Sequence, residues 1–253
     1  MLESVDITFD GVHSSQLDLT QVYVDSGLFE EKFVAPSTIN EVTIRGNDTP
    51  YFQGVSRSPL EFTVKLYFEE GFTSETVRNV ARWLIKNDYR PLTFDSNPER
   101  VFYAMFIGDS NLIHNGCEQG YIVLNVRCNS PHSYSKLKDS DDFHINGEQM
   151  IEIMNDGDLP INPIIDIYKI GRGSLRIDNF SRRDEPFEFD ILEDEETLEV
   201  DNEEAIITTS ISNTDRYDNF NENFLTLERG VNRLLIKGSC IVRFRYQFVF
   251  LQG

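Results

Sequence analysis

The segment LEFTVKLYF, residues 60–68, decides the fold class because its apolar side chains return at every second position. In an extended strand, this alternation sends one set of side chains into a core and the other set towards solvent. The segment VRFRYQFVF, residues 242–250, has the same period. Two such segments, one in each half of the chain, predict a protein built mainly from half-buried β-strands.

Shorter apolar runs, separated by turn sequences with Gly, Asp or Asn, extend this prediction along the chain. In the first half we expect strands at Val5–Phe9, Val42–Arg45, Pro91–Phe94, Val101–Phe106 and Tyr121–Cys128. In the second half we expect them at Met150–Met154, Ile164–Tyr168, Leu175–Asp178, Phe187–Leu192, Thr197–Val200, Ala205–Thr209, Phe224–Leu227 and Arg233–Lys237. Strands this short and numerous are typical of β-sandwiches and barrels.

One segment of the first half has the period of a helix instead. Thr73 is the expected N-cap, Pro91 follows the expected end, and Trp83 should lie at the rim of the core or on a contact surface. The apolar stripe of this helix consists of Val77, Val80, Ala81 and Leu84.

A polar segment around Pro131 separates this mixed first half from a second half without a helix. We therefore predict two domains, residues 1–133 and 134–253. The first is expected to be a β-sandwich or barrel-like domain with one α-helix. The second has about the number of strands that a two-sheet jelly roll needs.

The bulk composition excludes several classes of protein. The net charge of −20 is spread over both halves, so no basic surface for nucleic acid or anionic membranes is visible. Three widely spaced cysteines do not form a disulfide framework, and we expect reduced thiols. The N-terminus lacks the features of a signal peptide, and no apolar run approaches the roughly 20 residues of a membrane span.

The sequence carries no recognisable motif for catalysis or metal binding. His13, His114, His132 and His144 are dispersed, and none has a second histidine at helical spacing. We therefore expect no enzyme activity, no catalytic residue, no cofactor and no metal ion.

The acidic stretch at residues 193–204 allows more than one interpretation. It would suit a Ca²⁺ site or the carboxylate pair of a glycosidase. However, Leu198 and Val200 keep the strand alternation within it, which favours a hairpin with a charged outer face.

Sugar binding is the other candidate function, because jelly rolls often carry carbohydrate sites. Tyr217 and Phe220 lie in a polar stretch and would stack on a sugar ring if their side chains were exposed. The alternative is that both aromatic side chains anchor their loop to the sandwich.

The order of motifs along the chain resembles the distal tail protein family of long-tailed phages (siphophages). The motifs are FDGVHSSQLDL at residues 9–19, IRGNDTPYF at 44–52, WL at 83–84, PLTFD at 91–95, PERVFYA at 98–104, CNSPHSYS at 128–135, NDG at 155–157, PIIDI at 163–167, IDN at 177–179 and GVNRLLI at 230–236. Thr49 departs from this pattern, since the family usually has a second glycine there.

The resemblance implies a non-enzymatic virion protein made in the host cytoplasm and placed at the distal end of the tail. Members form a hexameric ring that stacks on the tail tube protein and joins it to hub or fibre proteins of the tip, and DNA would pass through the lumen. The first domain would be a sandwich or barrel-like fold with one helix and a long hairpin, and the second would be a galectin-like sandwich. Some members insert a long arm there, which we do not expect in this chain because its strands already fill the domain.

A ring must bury apolar surface that a single copy exposes. Residues 25–58 are the predicted source of this surface, since they form a long connection with apolar side chains among polar ones. We predict that a hairpin from here contacts the neighbouring subunit through Phe29, Phe33, Val34, Tyr51 and Phe52. The alternatives are a hairpin folded back on its own sheet and, for the whole protein, an adhesion module that binds carbohydrate of the host wall.

Overall fold

The computed structural model describes residues 6–22, 34–182 and 185–251, and these are mainly β-strand. The chain divides into two compact units, one of Met1–Tyr134 with Leu251–Gly253 and one of Ser135–Phe250. Within the described ranges, no helix is long and apolar enough to cross a membrane.

The first unit is organised around one antiparallel sheet and one α-helix. Its strands are β1 (Ile7–Phe9), β2 (Val12–His13), β3 (Leu19–Gln21), β4 (Ser37–Val42), β5 (Tyr51–Arg57), β6 (Glu61–Phe68), β7 (Arg90–Phe94), β8 (Asn97–His114) and β9 (Gly120–Cys128). The helix is α1 (Ser74–Leu84). The main path of the sheet runs β2–β1–β7–β8–β9–β6–β3, whereas β4 and β5 form a separate two-stranded sheet.

Strand β6 confirms the alternation from which the fold class was predicted. Val64, Leu66 and Phe68 are buried, while Glu61 and Thr63 are exposed. Burying each of the large apolar side chains favours folding by about 1.5–3 kcal/mol. The sequence pattern of this strand therefore fixes which of its faces is covered.

Helix α1 begins as predicted. The Thr73 hydroxyl accepts a hydrogen bond from the Thr76 amide at 3.2 Å, which satisfies one free donor of the first turn. The buried stripe, however, contains Trp83 in place of Ala81, which is exposed. Positions 81 and 83 flank opposite sides of the stripe, and the larger apolar side chain takes the covered side.

Trp83 belongs to the core, so its assignment to the rim or to a contact surface was wrong. Its indole Nε1 donates a hydrogen bond to the Phe9 carbonyl oxygen at 2.9 Å. Its ring meets the Phe9 ring edge-on, with 6.3 Å between the centroids. The helix is thereby attached to strand β1.

The second unit is a two-layer β-sandwich. Strand β10 (Ser133–Ser135) lies at the boundary, and the strands that follow are β11 (Lys138–Asp139), β12 (Phe143–Ile145), β13 (Glu148–Asn155), β14 (Ile164–Lys169), β15 (Gly173–Asn179), β16 (Phe187–Leu192), β17 (Thr197–Asp201), β18 (Ile206–Thr209), β19 (Gly230–Lys237), β20 (Cys240–Tyr246) and β21 (Val249–Phe250). One sheet runs β11–β20–β14–β17–β18, with β12 also paired to β20, and the other runs β13–β19–β15–β16.

Both sheets contribute to a single buried cluster, as two packed layers must. Its members from one sheet include Ile165, Val200 and Phe244, and those from the other include Ile153, Ile177 and Leu234. The mainly β fold class is therefore confirmed, while the narrower galectin-like assignment of this unit stays a prediction.

Three predicted strands differ from the structure. Val42–Arg45 is not a strand, because β4 ends at Val42 and the Asn47 amide closes a turn onto the Ile44 carbonyl. Phe224–Leu227 forms only one isolated bridge, from Leu227 to Ile161. The run at 242–250 is interrupted after Tyr246, where the Phe248 amide donates to the Ser135 hydroxyl.

Candidate subunit interface

The predicted contact residues are only partly within the described ranges. Phe29 and Phe33 lie outside the described residues. Val34, Tyr51 and Phe52 are exposed, and Phe52 is the most exposed large apolar side chain of the described residues at 68%. Tyr51 and Phe52 begin strand β5, so the structure places two of the candidates on one hairpin.

The β4–β5 hairpin stands apart from the large sheet of its unit. Every residue of β4 and nearly every residue of β5 is exposed, so the hairpin is not folded back on its own sheet. At its base, Ala35 is buried in the core and the Ser58 amide donates to the Pro36 carbonyl at 3.0 Å. The ribbon is thus held at one end and uncovered along its length.

The register of the hairpin sorts its apolar side chains onto two faces, because residues paired across an antiparallel ribbon share a face. Ile39 pairs with Val55 and Glu41 pairs with Phe52 on one face, while Val42 pairs with Tyr51 on the other. We call the group of Ile39, Phe52 and Val55 the hairpin patch.

A β-bulge brings Phe52 into the hairpin patch. The register shifts between Asn40 and Glu41, so that Gln53 is the extra residue of β5. Gly54, next to it, has a φ of +144°, which side chains other than glycine rarely adopt. Without this shift, the alternation of β5 would place Phe52 and Val55 on opposite faces.

The charged and polar side chains of the hairpin frame the hairpin patch. Glu41 and Arg57 lie on the same face as the patch, and Asn40 donates to the Ser56 hydroxyl at 2.6 Å on the opposite face. An apolar centre with polar neighbours is the usual composition of a protein–protein contact. The sequence prediction missed Ile39 and Val55, although their spacing from neighbouring polar residues is that of a strand.

The second candidate site, at Tyr217 and Phe220, is built differently. Phe220 is only 6% exposed, and its ring centroid lies 4.8–5.0 Å from those of Phe187, Phe189 and Phe224. Phe220 is therefore a core residue, and its proposed stacking on a sugar is corrected here. Its burial follows from the aromatic side chains that β16 provides.

Tyr217 keeps an exposed ring, but its hydroxyl group bonds within the protein. The hydroxyl accepts from the Ile207 amide at 3.1 Å and donates to the Ala205 carbonyl at 3.3 Å. These bonds attach the loop to the end of strand β18. Tyr217 and Phe220 thus both anchor their loop to the sandwich, which was the alternative to sugar binding.

A buried ion pair holds the same loop. Arg216 donates through Nε and Nη2 to the two carboxylate oxygens of Glu196, each at 2.7 Å. Burial alone would raise the pKa of Glu196, but the hydrogen bonds from Arg216, Thr209 and the Glu193 amide outweigh it and lower the pKa. Glu196 therefore stays ionised and keeps the loop in place.

The rest of the acidic stretch at 193–204 confirms the hairpin interpretation. Leu198 and Val200 are buried within β17 and Glu199 is exposed, and β17 pairs with β18. In the described part of the stretch, no three carboxylates bring their oxygens together as a cation site requires.

The sequence matches two family profiles that together span almost the whole chain. Residues 2–130 match a phage tail protein N-terminal domain, and residues 132–246 match a phage tail C-terminal domain. A protein of Bacillus subtilis strain 168, the SPbeta prophage-derived uncharacterized protein YomH, is 34% identical over 250 residues, which are 98% of this chain and 99% of that protein.

Solved structures of phage proteins have the same fold. The Dit protein of phage SPP1, described as a paradigm of the hub adsorption apparatus in phages that infect Gram-positive hosts, has a TM-score of 0.72 and 16% identity over 97% of this chain and all of that one. A chain of the phage P2 baseplate in its activated conformation with Ca has a TM-score of 0.52 and 9% identity, with 97% and 98% of the two chains covered.

Proposed function

This chain belongs to a family of phage tail proteins, and from that premise we propose that it forms a closed ring at the distal end of the tail. In this proposal six copies close the ring, which joins the tail tube to the hub or fibre proteins of the tip. The observation that carries the proposal is the hairpin patch, an uncovered apolar surface on a ribbon that projects from the first unit.

The hairpin needs a partner for physical reasons. An isolated two-stranded ribbon is marginally stable in water, and exposed apolar groups on one face mark interaction sites. Burial of Ile39, Phe52 and Val55 would contribute about 1.5–3 kcal/mol for each side chain before the entropy lost on association is subtracted. A neighbouring copy supplies such cover without any further protein.

A ring also fits the shape of the contact. In a closed ring each copy offers one surface and receives a different one, so the hairpin patch of one subunit need not meet the hairpin patch of the next. Under this arrangement no hairpin remains uncovered once the ring has closed. An uncovered β-ribbon would otherwise promote aggregation, and closing the ring would prevent this by covering it.

The charge of the chain suits a channel for DNA. A net charge of −20 repels phosphate groups, so DNA passing through the ring would not adhere to its wall. We propose no specific binding of nucleic acid. The tail tube protein and a tip hub protein are the proposed partners, by analogy with the hub apparatus to which the SPP1 protein belongs.

We also propose that the chain is not an enzyme. Among the described carboxylates with resolved shifts, the pKa values of Asp10, Asp178 and Glu196 are all lowered, and each has a hydrogen-bonded Lys or Arg partner. Such groups stay ionised and hold structure, whereas a general acid needs a raised pKa. The carbohydrate-binding alternative has lost Phe220, and no other observation favours it.

The test is the mass of the purified protein in solution, measured by light scattering after gel filtration and by native mass spectrometry. The wild-type chain is expected near six times its 29.3 kDa. Phe52→Asp should release single chains, because it buries a charge in the proposed contact. Phe180→Asp is the matched control, since Phe180 is 62% exposed but lies in the second unit.

One result would contradict the ring itself, namely a wild-type protein that stays a single chain at the highest soluble concentration. A ring that Phe52→Asp leaves intact would contradict the hairpin patch as its contact. Loss of the ring in both phenylalanine variants would place the contact elsewhere.

A further inference from the structure

Three side chains with metal-binding atoms converge at one edge of the large sheet in the first unit. Asp6, His13 and Asp95 each bring one ligand atom to within 4.8 Å of the others. Among the described residues, no other group of three His, Cys, Asp or Glu side chains does so. The cluster lies apart from the hairpin patch and has no part in the ring proposal.

Backbone pairing places these residues together. Strand β1 lies between β2 and β7, with Thr8 opposite His13 and Ile7 opposite Phe94. The Asp95 amide then donates to the Asp6 carbonyl oxygen at 3.0 Å, which sets the two aspartates side by side. Three adjacent strand ends therefore determine the geometry of the cluster.

The hydrogen bonding within the cluster is incomplete. Oδ1 of Asp6 is buried and has no hydrogen-bond partner. An unpartnered buried carboxylate oxygen is costly, and such atoms are rare in folded proteins. The imidazole of His13 lies 3.0 Å from Asp95 through Nε2, so it compensates one carboxylate and leaves the Asp6 oxygen without a partner.

Ser15 orients the far side of the imidazole. Nδ1 of His13 accepts a hydrogen bond from the Ser15 amide at 3.3 Å and lies 2.7 Å from the Ser15 hydroxyl oxygen. With Nδ1 accepting, the ring proton lies on Nε2, which donates to Asp95 at 3.0 Å. An ion bound at Nε2 would shift this proton to Nδ1, where the Ser15 hydroxyl oxygen can accept it, and metal-binding histidines commonly donate their second ring N–H to such a partner. Ser15 would therefore position His13 without touching the ion.

We propose that Asp6, His13 and Asp95 bind one divalent transition-metal ion, with Zn²⁺ as the best match. One imidazole and two carboxylates suit Zn²⁺, whereas Ca²⁺ and Mg²⁺ prefer oxygen ligands alone. The ion would neutralise two neighbouring carboxylates and give the Asp6 oxygen a partner. It would also join β1, β2 and the end of β7, so its expected role is structural.

The sequence prediction of no metal site rested on local spacing. Positions 13 and 95 are far apart in the chain, and a single histidine with no close neighbour resembles a solvated side chain. Only the antiparallel order of β2, β1 and β7 brings the ligands together.

The test uses the full chain with Cys117→Ser, because the exposed Cys117 thiol would itself bind Zn²⁺. Protein treated with a chelator is dialysed against graded free Zn²⁺, and bound zinc is measured by mass spectrometry of the metal. One Zn²⁺ per chain is expected. The visible absorption of Co²⁺ at the same site reports nitrogen and oxygen ligands in place of sulfur.

His13→Gln and Asp95→Asn should each weaken Zn²⁺ binding at least about tenfold, while His144→Gln, which removes an exposed histidine of the second unit, should leave it unchanged. Asp95 has a half-exposed side chain, so Asp95→Asn is expected to fold. This variant decides the matter if His13→Gln does not fold.

Zn²⁺ at saturation should also raise the melting temperature of the wild type and not that of Asp95→Asn. Three results would overturn the proposal. These are no stoichiometric Zn²⁺ uptake, uptake that is equal in the wild type and Asp95→Asn, and uptake of Ca²⁺ in place of Zn²⁺. Each would leave the ring proposal untouched.

Discussion

Two polar segments of this protein each contain a phenylalanine, and they differ in whether that side chain is buried. The β4–β5 hairpin exposes Phe52, whereas the loop around residues 216–220 buries Phe220 among three other phenylalanines. In sequence the two look alike, since each places a phenylalanine among polar residues. Burial of such a phenylalanine therefore depends on which other segments its backbone is bonded to. The composition of its own segment does not decide it.

The loop is held by bonds to elements far along the chain. Arg216 reaches Glu196, the Asn221 amide donates to the Glu188 carbonyl, and Phe189 and Phe220 form an isolated bridge. The hairpin bonds mainly to itself, strand to strand. One segment is therefore part of a core, whereas the other stays exposed in a single chain.

The largest expected difference follows from truncating the two phenylalanines. Phe220→Ala should lower the free energy of unfolding by about 3–5 kcal/mol, because it leaves a cavity in the sandwich. Phe52→Ala, measured in a single chain, should change it by no more than about 0.5 kcal/mol. Chemical denaturation followed by far-ultraviolet circular dichroism measures both.

Thiol labelling shows which of the two units a variant destabilises. Burial raises the pKa of Cys128 in the first unit to about 12 and that of Cys240 in the second to about 11, so neither should react in the native protein. Phe220→Ala should accelerate labelling of Cys240 and not of Cys128. Equal acceleration at both thiols would mean that the sandwich does not open separately.

The next effect concerns the ion pair that holds the loop. Arg216→Met should cost about 3 kcal/mol, because it leaves the Glu196 carboxylate buried without its partner. Arg57→Met, on the exposed hairpin, is the matched control and should change the free energy of unfolding by less than about 0.5 kcal/mol. Similar losses in both variants would contradict the contrast between the two segments.

The smallest effect is a dependence on pH. Because the folded pKa of Glu196 is lowered, its contribution is fully present above the ordinary value of 4.5 and is lost as the pH falls through the folded value. Glu196→Gln should therefore be less stable than the wild type at pH 7, and the gap should close in acid. Denaturation curves between pH 7 and pH 3 measure it, and a constant gap would contradict the assignment.

Much of the fold was predictable from the sequence, for reasons that particular elements make clear. Strand β6 has one covered face, so burial imposes an alternation that the sequence displays. The N-cap of α1 was also visible, because a threonine before an apolar stripe serves that local purpose. Both signals arise from contacts that are near in sequence or repeated along one element.

A hairpin was expected between residues 25 and 58, but the bounds of its strands, the burial of Phe220 and the proposed metal-binding cluster were not predicted. An exposed two-stranded ribbon has no covered face, so Tyr51–Arg57 was missed and β4 was placed too late in the chain. The burial of Phe220 depends on Phe187 and Phe189, and the approach of His13 to Asp95 depends on the order of strands. Sequence windows contain none of these relations.

The indole of Trp83, bonded to the Phe9 carbonyl, is also the single tryptophan of the chain. Its fluorescence therefore reports on the first unit alone. Emission should be blue-shifted while the helix stays docked and should move to the red when that unit unfolds. Unfolding of the second unit alone should leave the tryptophan spectrum unchanged, so the first unit can be followed separately in the intact protein without a dye.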